Sequence, residues 1–326
     1  MADNIKYRFI QNVGDYFPAG YFGEDFLDKV QKQAGYNAEQ MKALCQPYVA
    51  FKARYYDYKN DIINMRMRRK DAITYTHMFH EDLLKVMGYD PKNAYKEFVT
   101  VNEERNEVVP VRHILRHGSK TTMLIMEMQH LIKTGDEEPD GLFEQQYDDG
   151  KGQRDKQRYW AGQWSDVFEV PEGCKISPAV VNKAITSIFL LPEERRPHFI
   201  LLLAGNTVFL FDQEKWNRGS YLMFTLDDLF SQASITTFRN YYALFHLLVC
   251  KETLAADSET VLMDALIEES YKSAYEVTKD LKNGVVTAVE TLANEAHYYM
   301  KYVAKKPFGR VPLSETTAKA FICKLL

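Results

Sequence analysis

The sequence predicts an α/β protein: a mixed β-sheet flanked by helices and followed by a long helical C-terminal part. Three observations predict it. Thr121 to Gln129 reads TTMLIMEMQ, with apolar residues on both alternating sets of positions, as in a central strand buried on both faces. Two more apolar runs, His198 to Leu203 and Thr207 to Asp212, flank Ala204-Gly205-Asn206, a strong hairpin signal. Leu262, Leu266, Ala274, Val277, Leu281, Val285, Val289, Leu292, Ala296, Tyr299 and Val303 recur at helical spacing, the pattern of a packing stripe.

In chain order, residues 1–23 are aromatic and Gly-rich and read as an ordered lead-in, with a short helix over Glu24 to Gln33. Asn37 is a good N-cap with Gln40 three residues on, and Met41, Leu44, Tyr48 and Phe51 continue at spacings of three and four. Pro47 is expected to end or kink that helix. A second helical stretch runs from about Tyr55 to Val86 and closes at Gly88, with Asp90-Pro91 as a stop. Strand character follows over Tyr95 to Asn102, then over Glu107 to Leu115, which a His117-Gly118-Ser119-Lys120 turn joins to the central strand as an antiparallel hairpin.

Lys133 to Gln163 is dense in charged residues, Gly and Gln; its length, roughly 30 residues, is that of a mobile insertion or a functional flap, and the composition favours the insertion. Ser177-Pro178 is an N-cap and first-turn pair for a helix carrying Val181, Ala184, Ile185 and Ile188. After the hairpin, Tyr221 to Phe224 adds a strand, and Thr225 caps a helix with Asp228 in its first turn. Asn283-Gly284 is expected to bend or break the C-terminal helix, and Ser314 to open another that stops without a cap at Leu325 and Leu326. The expected division is a helical part over 1–92, a mixed-sheet domain over 93–232 with its insertion near 133–163, and a helical part over 233–326 cut within an element.

At 326 residues and 46% hydrophobic, the chain is long enough for one large domain or two ordinary ones. No apolar run reaches the roughly 18 residues a membrane span needs, and MADNIKYRFIQN lacks the build of a signal peptide, so a soluble cytoplasmic protein is expected. Cys45, Cys174, Cys250 and Cys323 lie far apart with no CxxC pair, which suggests neither a zinc ribbon nor a disulfide framework. The net charge of -4 argues against nucleic-acid binding by bulk electrostatics. Local basic groups remain: Arg66, Arg68 and Arg69, read either as a solvated helix face or as phosphate contacts, and Arg112, Arg116 and Lys120 around the hairpin turn. GxxxxGK[ST], HExxH, GxSxG and the Asp/Asn-Pro-Pro-aromatic tetrapeptide of adenine amino-methyltransferases are all absent. His77 and His80 show no third ligand at a metal-binding spacing.

Glu127 stands out in the apolar strand, because a carboxylate withdrawn from water costs several kcal/mol unless a cation, donor or proton satisfies it. One reading places it at the strand's end, relieved by solvent or by Arg112. The other likens Glu127-Met128-Gln129 to the acidic-x-Lys triplet of metal-dependent nucleases of the PD-(D/E)xK kind, on the middle strand of a mixed sheet. There two carboxylates hold a hard cation and the Lys positions a water. Gln129 can hydrogen-bond a water but carries no charge. With the turn centred between Gly118 and Ser119, Glu127 falls opposite Pro110, and its face of the neighbouring strand offers Asn106, Val108 and Arg112 but no acid. A slip of one residue would present Glu107 instead.

Arg196 to Phe230, RPHFILLLAGNTVFLFDQEKWNRGSYLMFTLDDLF, resembles a segment near the N-terminus of large bacterial restriction-modification proteins, either methylase-linked restriction enzymes or type I restriction enzyme R subunits. In that family a strand, a Gly turn, a second strand ending in Asp, a Lys-Trp pair and a Tyr-rich strand follow in this order. Ser270 to Met300 and Asn12 to Phe17 extend the similarity, which covers about half of the chain. The resemblance implies an N-terminal fragment of PD-(D/E)xK nuclease-like type acting on DNA beside methyltransferase or helicase domains. Its site would be degenerate at Gln129; were it active, Glu127 would hold Mg²⁺ and Gln129 would orient water. The alternative is a non-catalytic module that docks other domains or positions DNA.

Overall fold

The computed structural model describes residues 7–18, 20–63, 69–90, 97–128, 170–178, 180–232, 234–255 and 261–303. They form a mixed α/β structure in two compact units, 1–268 and 269–326.

The first unit is built on a six-stranded sheet. Its strands are β1 (Ile10–Val13), β4 (His113–His117), β5 (Lys120–Glu127), β7 (Phe199–Leu203), β8 (Thr207–Asp212) and β9 (Tyr221–Thr225). They lie in the order β1-β9-β8-β7-β5-β4. All neighbours are antiparallel except β5 and β7, which run parallel with Glu127 opposite Leu203. A smaller sheet is formed by β2 (Glu97–Asn102), β3 (Glu107–Val111) and β6 (Lys175–Ile176).

The two-residue side-chain period explains why β5 and β7 are apolar throughout. Met123, Ile125, Phe199, Leu201 and Leu203 enter one core, and Leu124, Met126, Ile200 and Leu202 enter another on the opposite face. The first core is covered by α1 (Phe26–Ala34), α2 (Ala38–Ile63), α3 (Arg69–Val86), α6 (Leu226–Phe230), α7 (Ile235–Val249), α8 (Lys251–Leu254) and the first turns of α9 (Leu262–Tyr298). The second is covered by α4 (Val181–Phe189) and by Val99, Val109 and Val111 of the small sheet. The short α5 (Gln213–Trp216) is capped by Asp212, whose carboxylate accepts the Glu214 N–H at 2.8 Å.

Several expectations change. Residues 1–92 and 233–268 are not separate helical parts: β1 joins the sheet, and the helices bury their faces on it. Asn37 and Gln40 do form a reciprocal cap, each side-chain oxygen accepting the other's backbone N–H at 2.9 Å. Pro47, however, lies inside α2 without ending it. Met41, Cys45, Tyr48, Phe51, Tyr55, Tyr58 and Ile62 keep one unbroken buried stripe. At about 1.5–3 kcal/mol for each large apolar side chain, the stripe outweighs the ~3 kcal/mol a helical proline costs. The helical stretch from Tyr55 is divided, α2 ending at Ile63 and α3 beginning at Arg69. Ser177-Pro178 does not open α4; the Ser177 N–H goes to Val108 O at 3.1 Å, prolonging the β6–β3 pairing, and the helix starts at Val181.

The largest correction concerns the hairpin. Glu107 to Leu115 is two strands, not one, because the chain bends at Arg112 and carries β3 into the small sheet. The turn joins β4 to β5 with His117 opposite Lys120, and an irregularity between Leu115 and Arg116 shifts the register so that His113 faces Ile125. Neither Pro110 nor Glu107 therefore lies opposite Glu127. Glu107 instead meets Lys175 Nζ at 3.2 Å.

The second unit contains the rest of α9 and a π-helical turn over Tyr299–Val303. Asn283-Gly284 does not interrupt α9. A helical glycine costs only about 1 kcal/mol and, unlike proline, removes no donor. The insertion at 133–163 and the helix expected from Ser314 lie outside the described residues.

Candidate functional site

Glu127 closes β5 where that strand runs beside β7, and the two-residue period turns its side chain to the face covered by α3. That helix presents Thr76, His77, His80, Leu83 and Leu84 inward at spacings of three and four, so both imidazoles sit on the core-facing stripe, fully buried. They take both carboxylate oxygens: His77 Nδ1 lies 2.6 Å from Glu127 Oε2, and His80 Nδ1 lies 2.8 Å from Oε1.

The outer partners assign the protons. The Gly205 N–H, in the β7–β8 turn, donates to His80 Nε2 at 2.8 Å, so that nitrogen carries a lone pair and the proton sits on Nδ1, donated to Glu127. Gly205 has φ of +66°, a conformation glycine adopts without cost and one that aims its N–H at the ring. His77 also turns Nδ1 to Glu127, and Arg112 Nη1 contacts both nitrogens of its ring. A neutral His80 and the His77 imidazole therefore bracket one ionised carboxylate.

Arg112 supplies the cation. Its guanidinium is 0% exposed, with Nη1 3.9 Å from Glu127 Oε2 and Nη2 3.6 Å from Glu81 Oε2. Glu81, one turn beyond His77 on α3, is the second carboxylate of the cluster, and it also pairs with Lys85 at 2.8 Å. Burial pushes the Glu127 carboxyl up, but the charges and hydrogen bonds of His77, His80 and Arg112 overcome it and hold the group well below the ordinary carboxylate range. For His80, burial dominates and lowers the pKa against the pull of Glu127, consistent with a neutral ring.

This environment does not fit Mg²⁺. A hard dication needs near-octahedral oxygen ligands and keeps several waters. Glu127 is 2% exposed and both its oxygens are committed to imidazole N–H groups, while a guanidinium occupies the place between the two carboxylates. What the arrangement does chemically is neutralise a buried carboxylate and tie α3, β5, the Arg112 bend and the β7–β8 turn to one another.

Among the other predicted residues, Arg112 belongs to this buried cluster and not to a surface patch. Arg116, His117 and Lys120 are exposed at the β4–β5 turn, with Lys120 3.6 Å from Glu193. Arg66, Arg68 and Gln129 lie outside the described residues, as does the Arg69 side chain. His77 and His80 are the residues sequence reasoning passed over. The signal for them was present: two histidines on an apolar helical stripe and one carboxylate on an apolar strand each require a buried partner.

Among the described residues, no helix is long and apolar enough to cross a membrane. Comparison with family models, curated proteins and solved structures finds no match to this chain.

Proposed function

We propose that the chain is a non-catalytic, nuclease-like module of a restriction-modification protein acting on DNA, in which a protein-borne cation has replaced the metal. The observation that carries this reading is the enclosure of Glu127. A carboxylate at the end of a middle strand of a mixed sheet is where such a nuclease would hold its metal, and here Arg112 stands between it and Glu81 while two histidines take its oxygens. The order of elements over the resembling segment supports it further: strand β7, the Gly205 turn, β8 ending in Asp212, the Lys215-Trp216 pair in α5 and the Tyr221 strand β9. The module's role is then to hold DNA or neighbouring methyltransferase or helicase domains in place, with Arg116 and Lys120 as the exposed basic side chains that would meet phosphate.

The test is calorimetry with Mg²⁺ and Mn²⁺ alongside plasmid nicking, on the full chain and on Glu127→Gln. The expected result is no nicking by either protein and no saturable binding that Glu127→Gln removes. Metal-dependent nicking that disappears in Glu127→Gln would overturn the reading and restore an active nuclease. For DNA positioning, Arg116→Glu with Lys120→Glu is expected to weaken duplex binding and lower its salt slope by up to about 0.9 for each phosphate no longer neutralised. An unchanged slope removes that turn from the interface.

A further inference from the structure

A second cluster, at the C-terminal end of α7, plays no part in the Glu127 network. His246 lies in the last turn of α7. Cys250 ends that helix and caps α8, and Glu252 lies in the first turn of α8. The Cys250 N–H closes the last turn on His246 O at 2.8 Å, which places the two side chains four residues apart on one side of the helix end. One imidazole nitrogen, the Cys250 sulfur and one Glu252 carboxylate oxygen lie within 4.8 Å of one another.

We propose that His246, Cys250 and Glu252 form a binding site for a zinc-class transition-metal ion. The donor set selects the class: a thiolate, an imidazole and a single carboxylate suit a borderline-soft ion, whereas Mg²⁺ and Ca²⁺ take oxygens. Tetrahedral zinc with bonds of about 2.0–2.3 Å holds its donors roughly 3.5 Å apart. The three atoms therefore need to close by up to about an ångström.

The burial is graded as a metal site requires. Cys250 is buried, His246 half-buried and Glu252 exposed, giving a dry base and an open side through which the ion enters and a water completes the shell. Outer contacts already orient the donors: the Tyr48 hydroxyl lies 3.0 Å from His246 Nδ1, and the Thr253 hydroxyl lies 3.1 Å from Cys250 Sγ. Binding converts the Cys250 thiol to a metal-bound thiolate and releases its proton to solvent.

The test is titration of the chelator-treated full chain with Co²⁺, read by the near-ultraviolet thiolate-to-cobalt charge-transfer band, with Zn²⁺ as competitor. The expected result is one Co²⁺ per chain, displaced by Zn²⁺ and with no charge-transfer band in Cys250→Ser. Absence of the band in the native chain, or its persistence in Cys250→Ser through Cys45, Cys174 or Cys323, overturns the proposal. Because Cys250 is buried, Glu252→Ala provides a variant that leaves the fold intact. It is expected to lose at least tenfold in Co²⁺ affinity, and an unchanged affinity overturns the proposal equally.

Discussion

Replacing Glu127 by Gln keeps its volume and removes its charge, and the geometry of the cluster sets the consequence. Each carboxylate oxygen accepts one imidazole N–H, at 2.6 and 2.8 Å. An amide offers one oxygen and one NH₂, so one histidine Nδ1–H must face another donor, leaving buried donors unsatisfied at about 1–3 kcal/mol. Arg112, 0% exposed, loses the buried counter-charge of Glu127 and is left facing the half-exposed Glu81; breaking a buried pair in this way costs about 3–5 kcal/mol. The two terms overlap, so the expected loss is on the order of 3–5 kcal/mol, or roughly 10 °C in Tm for a domain of this size. Urea unfolding followed by circular dichroism is the assay. Adding Arg112→Met to Glu127→Gln is expected to cost less than the sum of the single substitutions, with a coupling of about 1–3 kcal/mol. A single-variant loss below about 1 kcal/mol, or strict additivity, would refute the idea that the cluster is an interdependent unit.

The same cluster sets a pH dependence. Burial holds the His80 pKa below its ordinary value, so the folded state binds fewer protons than the unfolded state once pH falls below about 6.5; this contribution is present above that pH and lost beneath it. His246 adds in the same direction, its pKa being lowered by burial. The depressed Glu127 carboxyl contributes stability above about 4.3 that is lost as pH falls further. Unfolding free energies from urea titration should decline between pH 7 and 5 by up to about 1.4 kcal/mol per pH unit for each proton, and less steeply in His80→Asn; an equal slope in that variant counts against the neutral His80 ring. Asn37→Ala removes one half of the reciprocal cap on α2 and should cost about 1 kcal/mol in the same assay. Leu202→Ala, buried in the centre of β7, should cost about 2–5 kcal/mol, whereas Leu281→Ala, 67% exposed on α9, should stay within about 0.5 kcal/mol.

What the sequence made legible follows from how local each signal is. The apolar runs of β5, β7 and β8 and the Gly205 turn could be read because period and turn chemistry are carried by adjacent residues. So could the demand that Glu127 find a partner. Arg112, named there as one such partner, does face Glu127, but His77 and His80 could not be named, since they lie 50 and 47 residues away on another element, and pairing across that separation is set by how α3 docks on the sheet. The break at Arg112 was illegible for a similar reason. Neither glycine nor a turn dipeptide marks it, and the chain bends where the arginine is drawn into the buried cluster. Pro47 and Gly284 gave true local signals that longer-range packing and helix continuity overruled, by a stripe of seven buried side chains in one case and by a penalty of only about 1 kcal/mol in the other.

The pairing of β1 with β9 brings Ile10 opposite Phe224. During synthesis, β1 must wait until the whole stretch up to Phe224 has emerged before its partner exists, so the edge of the sheet is completed late and at a high loop-closure cost. Until then the outer side of β9 is an unpaired strand edge able to recruit another chain. Strand β1 thus covers the outer side of β9, and removing it should leave the longer, more apolar Tyr221–Thr225 strand as the edge, with more association during refolding, read by light scattering, as the expected outcome.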